Sequence, residues 1–70
     1  MDAETRKERI VEIMSEILRA ISEKGPRSLE WMSSQYRKRN EEGLCQIAFS
    51  RLEAEKIIQK RPDGKWEIAE

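Results

Sequence analysis

The stretch EEGLCQIAFSRLEAEKIIQKRPDGKWEI, residues 41–68, decides how the rest of the chain is read. Through Leu44, Cys45, Ala48, Phe49 and Leu52 it is amphipathic at helical spacing, with its apolar side chains on one face. The period then changes. Ile57-Ile58-Gln59-Lys60 and Lys65-Trp66-Glu67-Ile68 have the length and composition of two short strands. Between them stands Arg61-Pro62-Asp63-Gly64. Pro presets φ, Asp bonds its own backbone and Gly accepts positive φ, so a tight turn is expected. The spacing predicts a helix over about 41–56 and a hairpin over about 57–69.

Upstream of that stretch, Ile10, Met14, Ile17 and Ile21 recur at i, i+4, i+7 and i+11, one face of a helix over about 6–24. Residues 1–6 are polar and expected to fray. Val11 and Leu18 widen the apolar face on one side, Ile13 and Ala20 on the other. That breadth has two readings. Helix 1 packs against both later helices, or one flank, Ile13 with Ala20, pairs with a second copy of the chain. Gly25 supplies a left-handed cap and Pro26 forbids continuation.

Arg27 and Ser28 form an extended link able to act as a minimal strand, and Ser28 is a natural N-cap. Leu29, Met32 and Tyr36 then mark a second helix over about 29–36. Trp31 falls off that stripe. It either covers the side of the core or, if exposed, marks a contact surface. Arg37-Lys38-Arg39 lead to Asn40, the expected N-cap of the third helix, with Glu41 and Glu42 favouring its positive end.

Seventy residues, of which 37% are hydrophobic and 40% charged, allow one domain (1–70) with a small core. Fourteen basic residues balance fourteen acidic ones, which argues against a protein that coats nucleic acid non-specifically. The balance is not uniform along the chain. From Arg27 to Lys65 nine basic residues face six acidic ones, whereas the first twenty-four residues carry six acids and five bases. No apolar run reaches membrane-spanning length, so no membrane partner is expected. A single cysteine cannot form an internal disulfide, and a cytoplasmic location is expected.

Chemistry has little to stand on. The chain has no histidine, and its one cysteine lies on the apolar face of helix 3 as a small hydrophobe. No Cys/His cluster suggests a metal, and the three glycines sit at turns rather than in a phosphate-binding loop. The expectation is no enzyme, no cofactor and no metal. The side of helix 3 opposite the core is more informative. At about 100° per residue it carries Gln46, Ile47, Ser50, Arg51 and Ala54. Gln and Arg bond base edges and Ile meets a thymine methyl, although a plain solvated face with one exposed Ile would show the same pattern.

The order helix, short link, helix, helix, hairpin resembles winged helix-turn-helix domains over about residues 6–69. The stretch Phe49-Ser50-Arg51-Leu52-Glu53-Ala54-Glu55-Lys56-Ile57-Ile58 carries the resemblance most specifically. Many members end the third helix in an apolar-x-x-Leu-acidic run before an Ile that enters the wing. The implied fold class is α+β, a three-helix core with a C-terminal two-stranded β-hairpin wing. The implied role is a DNA-binding transcriptional regulator with double-stranded DNA as partner. Gln46, Ile47, Ser50 and Arg51 would then form the recognition surface. Arg37, Lys38 and Arg39 before helix 3, and Lys60, Arg61 and Lys65 around the wing turn, would meet phosphates. Three positions depart from the pattern, as does the turn between helices 2 and 3, which is longer and more charged than in compact bacterial repressors. Lys56 stands where many members have a small residue, often Gly, and Glu41 and Glu42 would repel a phosphate at the helix start.

Winged helices also serve as protein-interaction modules, and such a module here would use Trp31, Ile47 or the flank of helix 1. RNA binding by stacking is the weakest expectation, since the strands offer few aromatics beyond Trp66.

Overall fold

A computed structural model describes residues 3–69. The elements are α1 (Ala3–Lys24), α2 (Leu29–Arg37), α3 (Glu42–Ala54), β1 (Ile58–Lys60) and β2 (Trp66–Ile68). Three helices therefore precede a two-stranded antiparallel hairpin, an α+β layout.

Helix α1 starts at Ala3, not near Arg6. Straight-chain Glu4, Arg6 and Lys7 lose little freedom in a helix, and Glu4 suits its positive end, so the polar start continues the helix. The expected fraying of Met1 and Asp2 lies outside the described residues. The apolar stripe is also rotated from its predicted axis. Ile13 sits at the centre of the core with 0% exposure, beside Ile10, Ile17 and Ile21, while Met14 is half-buried at the edge. The pairing of copies through Ile13 and Ala20 is therefore overturned, because Ile13 is already covered by its own chain. Gly25 closes the helix at φ 85°, its N–H donating to the Ile21 carbonyl at 2.9 Å.

Ser28 caps α2 as expected, its Oγ accepting the Trp31 N–H at 3.1 Å. Arg27 pairs with Trp66 on the hairpin, donating to its carbonyl at 3.2 Å and accepting its N–H at 2.7 Å. The expected minimal strand is thus a single bridge that joins the link to the sheet.

Asn40 does not cap α3. It sits at φ 57° and closes α2 instead: its N–H donates to the Arg37 carbonyl and that of Glu41 to the Tyr36 carbonyl. Asn tolerates the left-handed region better than other non-glycine residues, so it serves the chain reversal. Glu41 takes the cap position without a side-chain cap bond. The same motif ends α3 at Ala54, two residues before the predicted end. Lys56 stands at φ 60°, its N–H on the Glu53 carbonyl, and Ile57 N–H reaches back to Leu52 at 2.9 Å. The left-handed position explains why a small residue would suit Lys56.

Each strand is one residue shorter than predicted. Ile58 lies opposite Ile68, Gln59 opposite Glu67 and Lys60 opposite Trp66. The turn follows the expected chemistry. Gly64, at φ 88°, donates its N–H to the Arg61 carbonyl, and Asp63 Oδ1 accepts the Lys65 N–H at 3.0 Å. Phe49 and Trp66 meet edge to face with centroids 5.2 Å apart, tying the hairpin to α3. Cys45, Ala48 and Leu52 of α3, Met32 and Tyr36 of α2, and Ile58 complete the core.

Candidate nucleic-acid interface

Burial of Cys45, Ala48, Phe49 and Leu52 turns the opposite side of α3 outward. There Gly43, Gln46, Ile47, Ser50, Arg51 and Ala54 line one shallow, open and mainly apolar hollow. All four predicted recognition residues are brought together on it. Gln46, Ser50 and Arg51 are exposed, while Ile47 is half-buried with its flank against the core. Ile47 is therefore a fixed apolar step rather than a fully exposed side chain. Gly43 joins this surface although helical periodicity weighs only side chains, and it lies one turn before Ile47. No carboxylate lines the hollow.

The glutamates at the start of α3 are both engaged. Arg9 of α1 grips Glu41 with two bonds, Nε to Oε2 at 2.7 Å and Nη2 to Oε1 at 2.9 Å. The guanidinium also donates to Glu12 and Glu16 at 3.0 Å each. Tyr36 Oη donates to Glu16 at 2.8 Å, so the network spans all three helices. Arg9 holds the Glu41 carboxyl below its ordinary range, against a smaller opposing effect of burial. Burial, reinforced by Glu16, raises the Tyr36 phenol. Nothing local in the sequence announces the Arg9–Glu41 pair, whose members are 32 residues apart.

Glu42 is held by Arg37 at 3.1 Å. Arg37, expected to meet phosphate, is thus paired with a carboxylate in the free chain. Arg61 is likewise shared between Asp63 at 3.5 Å and Glu67 at 3.7 Å. Lys38, Arg39, Arg51, Lys60 and Lys65 make no ion pair among the described residues and all are exposed. Chain order puts Lys38 and Arg39 just before α3 and the hairpin just after it. Between the two clusters in the chain lies α3, thirteen residues and about 20 Å long.

Trp31 is half-buried against the core, with Lys24 Nζ 5.3 Å and the Arg27 guanidinium 5.4 Å from its ring centre. Both cations stand within cation–π reach of the ring. Cys45 is fully buried. Burial pushes its thiol up to about 11, with Ser33 pulling the other way, so it is an inert packing residue. Among the described residues no group of three or more His, Cys, Asp and Glu is arranged to hold a metal, and no helix is long and apolar enough to cross a membrane.

Comparison of the chain with protein-family models, with curated proteins and with solved structures finds no match.

Proposed function

We propose that the chain is a winged-helix protein that binds double-stranded DNA, with α3 in the major groove and the hairpin as wing on the backbone. A role in transcription regulation is part of the same proposal. The observation that carries the proposal is the hollow on the outward side of α3, whose lining holds no carboxylate, Glu53 standing exposed at its edge. Gln46 and Arg51 supply hydrogen-bonding groups for base edges, Ile47 an apolar step for a thymine methyl, and Gly43, Ser50 and Ala54 allow close approach. Arg9 and Arg37 neutralise the two glutamates that would otherwise repel a phosphate at the start of α3. Lys38, Arg39, Lys60 and Lys65 remain for phosphate contact.

Fluorescence anisotropy with a labelled duplex in dilute salt tests the proposal. The wild-type chain binds, affinity falls steeply as salt is added, and Arg51→Glu weakens binding at least about tenfold. Undetectable or salt-insensitive binding counts against it. A second reading rests on the apolar lining of the same hollow, which would also suit a protein partner at Ile47. A stoichiometric protein partner lost on Ile47→Asp, with no duplex binding, would favour that reading.

A further inference from the structure

Helix α1 presents a surface that its own chain leaves open. Val11 is 56% exposed, the most exposed large apolar side chain among the described residues. At about 100° per residue, Val11, Ser15, Leu18 and Ser22 form one ridge, with Met14 at its inner edge. Met14 and Leu18 are half-buried, and Ser15 and Ser22 are exposed. Ten of the 22 residues of α1 are charged, yet none falls on this ridge between Val11 and Ser22. Lys7 and Glu4 continue the ridge toward the helix start, so the uncharged part is the middle of the helix, with Val11 at its open centre.

The neighbouring flank shows which partner. Glu8, Glu12 and Arg19 lie side by side on it, about a sixth to a quarter of a turn from the ridge. Consider two copies of α1 crossing antiparallel about a two-fold axis, with Val11 of each against Leu18 of the other. Residues whose numbers sum to about 29 then lie level. In such a pair the two-fold brings like flanks together. Arg19 of one copy is level with position 10 of its partner, so it sits between Glu8 and Glu12, about 3 Å along the axis from each. The opposite end repeats the arrangement by symmetry. Glu8 has no ion-pair partner among the described residues, Glu12 keeps one carboxylate oxygen on Arg9 at 3.0 Å, and Arg19 is engaged only with the exposed Glu23 at 3.1 Å. We infer that the chain forms a two-fold dimer through this ridge of α1, with Arg19 meeting Glu8 and Glu12 across the axis. The dimer does not depend on DNA binding.

Sedimentation over a wide range of protein concentration, without nucleic acid, reads the association directly. The wild-type chain should pass from monomer to dimer. Val11→Asp should weaken dimerisation at least about tenfold, since it buries an unpaired carboxylate against Leu18 of the other copy. Arg19→Glu should do the same by facing Glu8 and Glu12. A second charge variant, Glu8→Lys with Glu12→Gln, should also fail alone, because its new cation would face Arg19. Mixed in equal amounts, the two charge variants should form a heterodimer. At one end the carboxylate introduced at position 19 meets the ammonium introduced at position 8. At the other end Arg19 of the second variant meets Glu8 and Glu12 of the first. All these positions are exposed, and circular dichroism checks that each variant stays helical. A wild-type chain that is monomeric at all concentrations overturns the inference. So does a dimer indifferent to Val11→Asp, or charge variants that do not pair when mixed.

Discussion

Lys56 carries a backbone conformation that its side chain does not favour. At φ 60° its Cβ crowds the following carbonyl, and only the reversal out of α3 into β1 holds it there. Lys56→Gly should therefore stabilise the fold by about 0.5–1 kcal/mol, the relief of native strain being partly offset by the freer unfolded chain. Lys56→Ala removes the charge but keeps the strain and should leave stability nearly unchanged. Urea denaturation of the two variants beside wild type separates these effects. Asn40, at φ 57°, meets the same demand with a residue that tolerates it, so Asn40→Gly should gain less. The two positions are not equally legible in the sequence. Lys56 stands out where the sequence pattern of a helix entering a strand favours a small residue. Asn40 reads as the start of the helix that follows it, because N-cap preference and left-handed tolerance single out the same residue type.

Between elements, the strongest polar join is Arg9 on α1 with Glu41 at the head of α3. Their side chains are 17% and 15% exposed, so the pair is better shielded than the surface bridges around it. Arg9→Met keeps the bulk of the stem but strands Glu41, Glu12 and Glu16 without their shared cation. A loss of about 1–2 kcal/mol at neutral pH is expected, discounted for the solvent that still reaches the site. The pH dependence has a definite sign. Arg9 lowers the Glu41 pKa, so the stabilisation is complete above the ordinary value of 4.5 and disappears as pH falls through the lowered one. Wild type and Arg9→Met should differ at pH 7, and the difference should shrink as pH falls well below 4.5, which urea titration along that range would reveal. A difference that persists unchanged in acid would assign the cost to packing. Element identity is legible throughout, because apolar periods of about 3.6 and 2 and the turn sequence Pro62-Asp63-Gly64 are local signals. The rotation of α1 is not. Ile10, Met14, Ile17 and Ile21 fit a helical stripe as well as Ile10, Ile13, Ile17 and Ile21 do, and only the position of α3 selects between them. Long-range ion pairs leave no periodic trace at all.

For the molecule as a whole, net neutrality does not say which of its cations are free. The four predicted recognition residues gather on one surface, whereas two of the six flanking cations, Arg37 and Arg61, are held by carboxylates. Affinity for a duplex should therefore depend on which charges are released, not on how many basic residues the chain contains. Glu42 offers the sharpest case. It lies in the first turn of α3, where an approaching phosphate would meet both its repulsion and its competition for Arg37. Glu42→Gln removes the anion and frees the guanidinium. It should tighten duplex binding in dilute salt and steepen the plot of log affinity against log salt by about 0.9, one added phosphate contact. Glu4→Gln, which changes net charge equally but lies at the far end of the chain on α1, should alter the slope little. Anisotropy titrations of the three proteins between about 50 and 200 mM salt make the comparison. Equal slopes for all three would mean that the start of α3 meets no phosphate, and the proposed docking of that helix would fall with it.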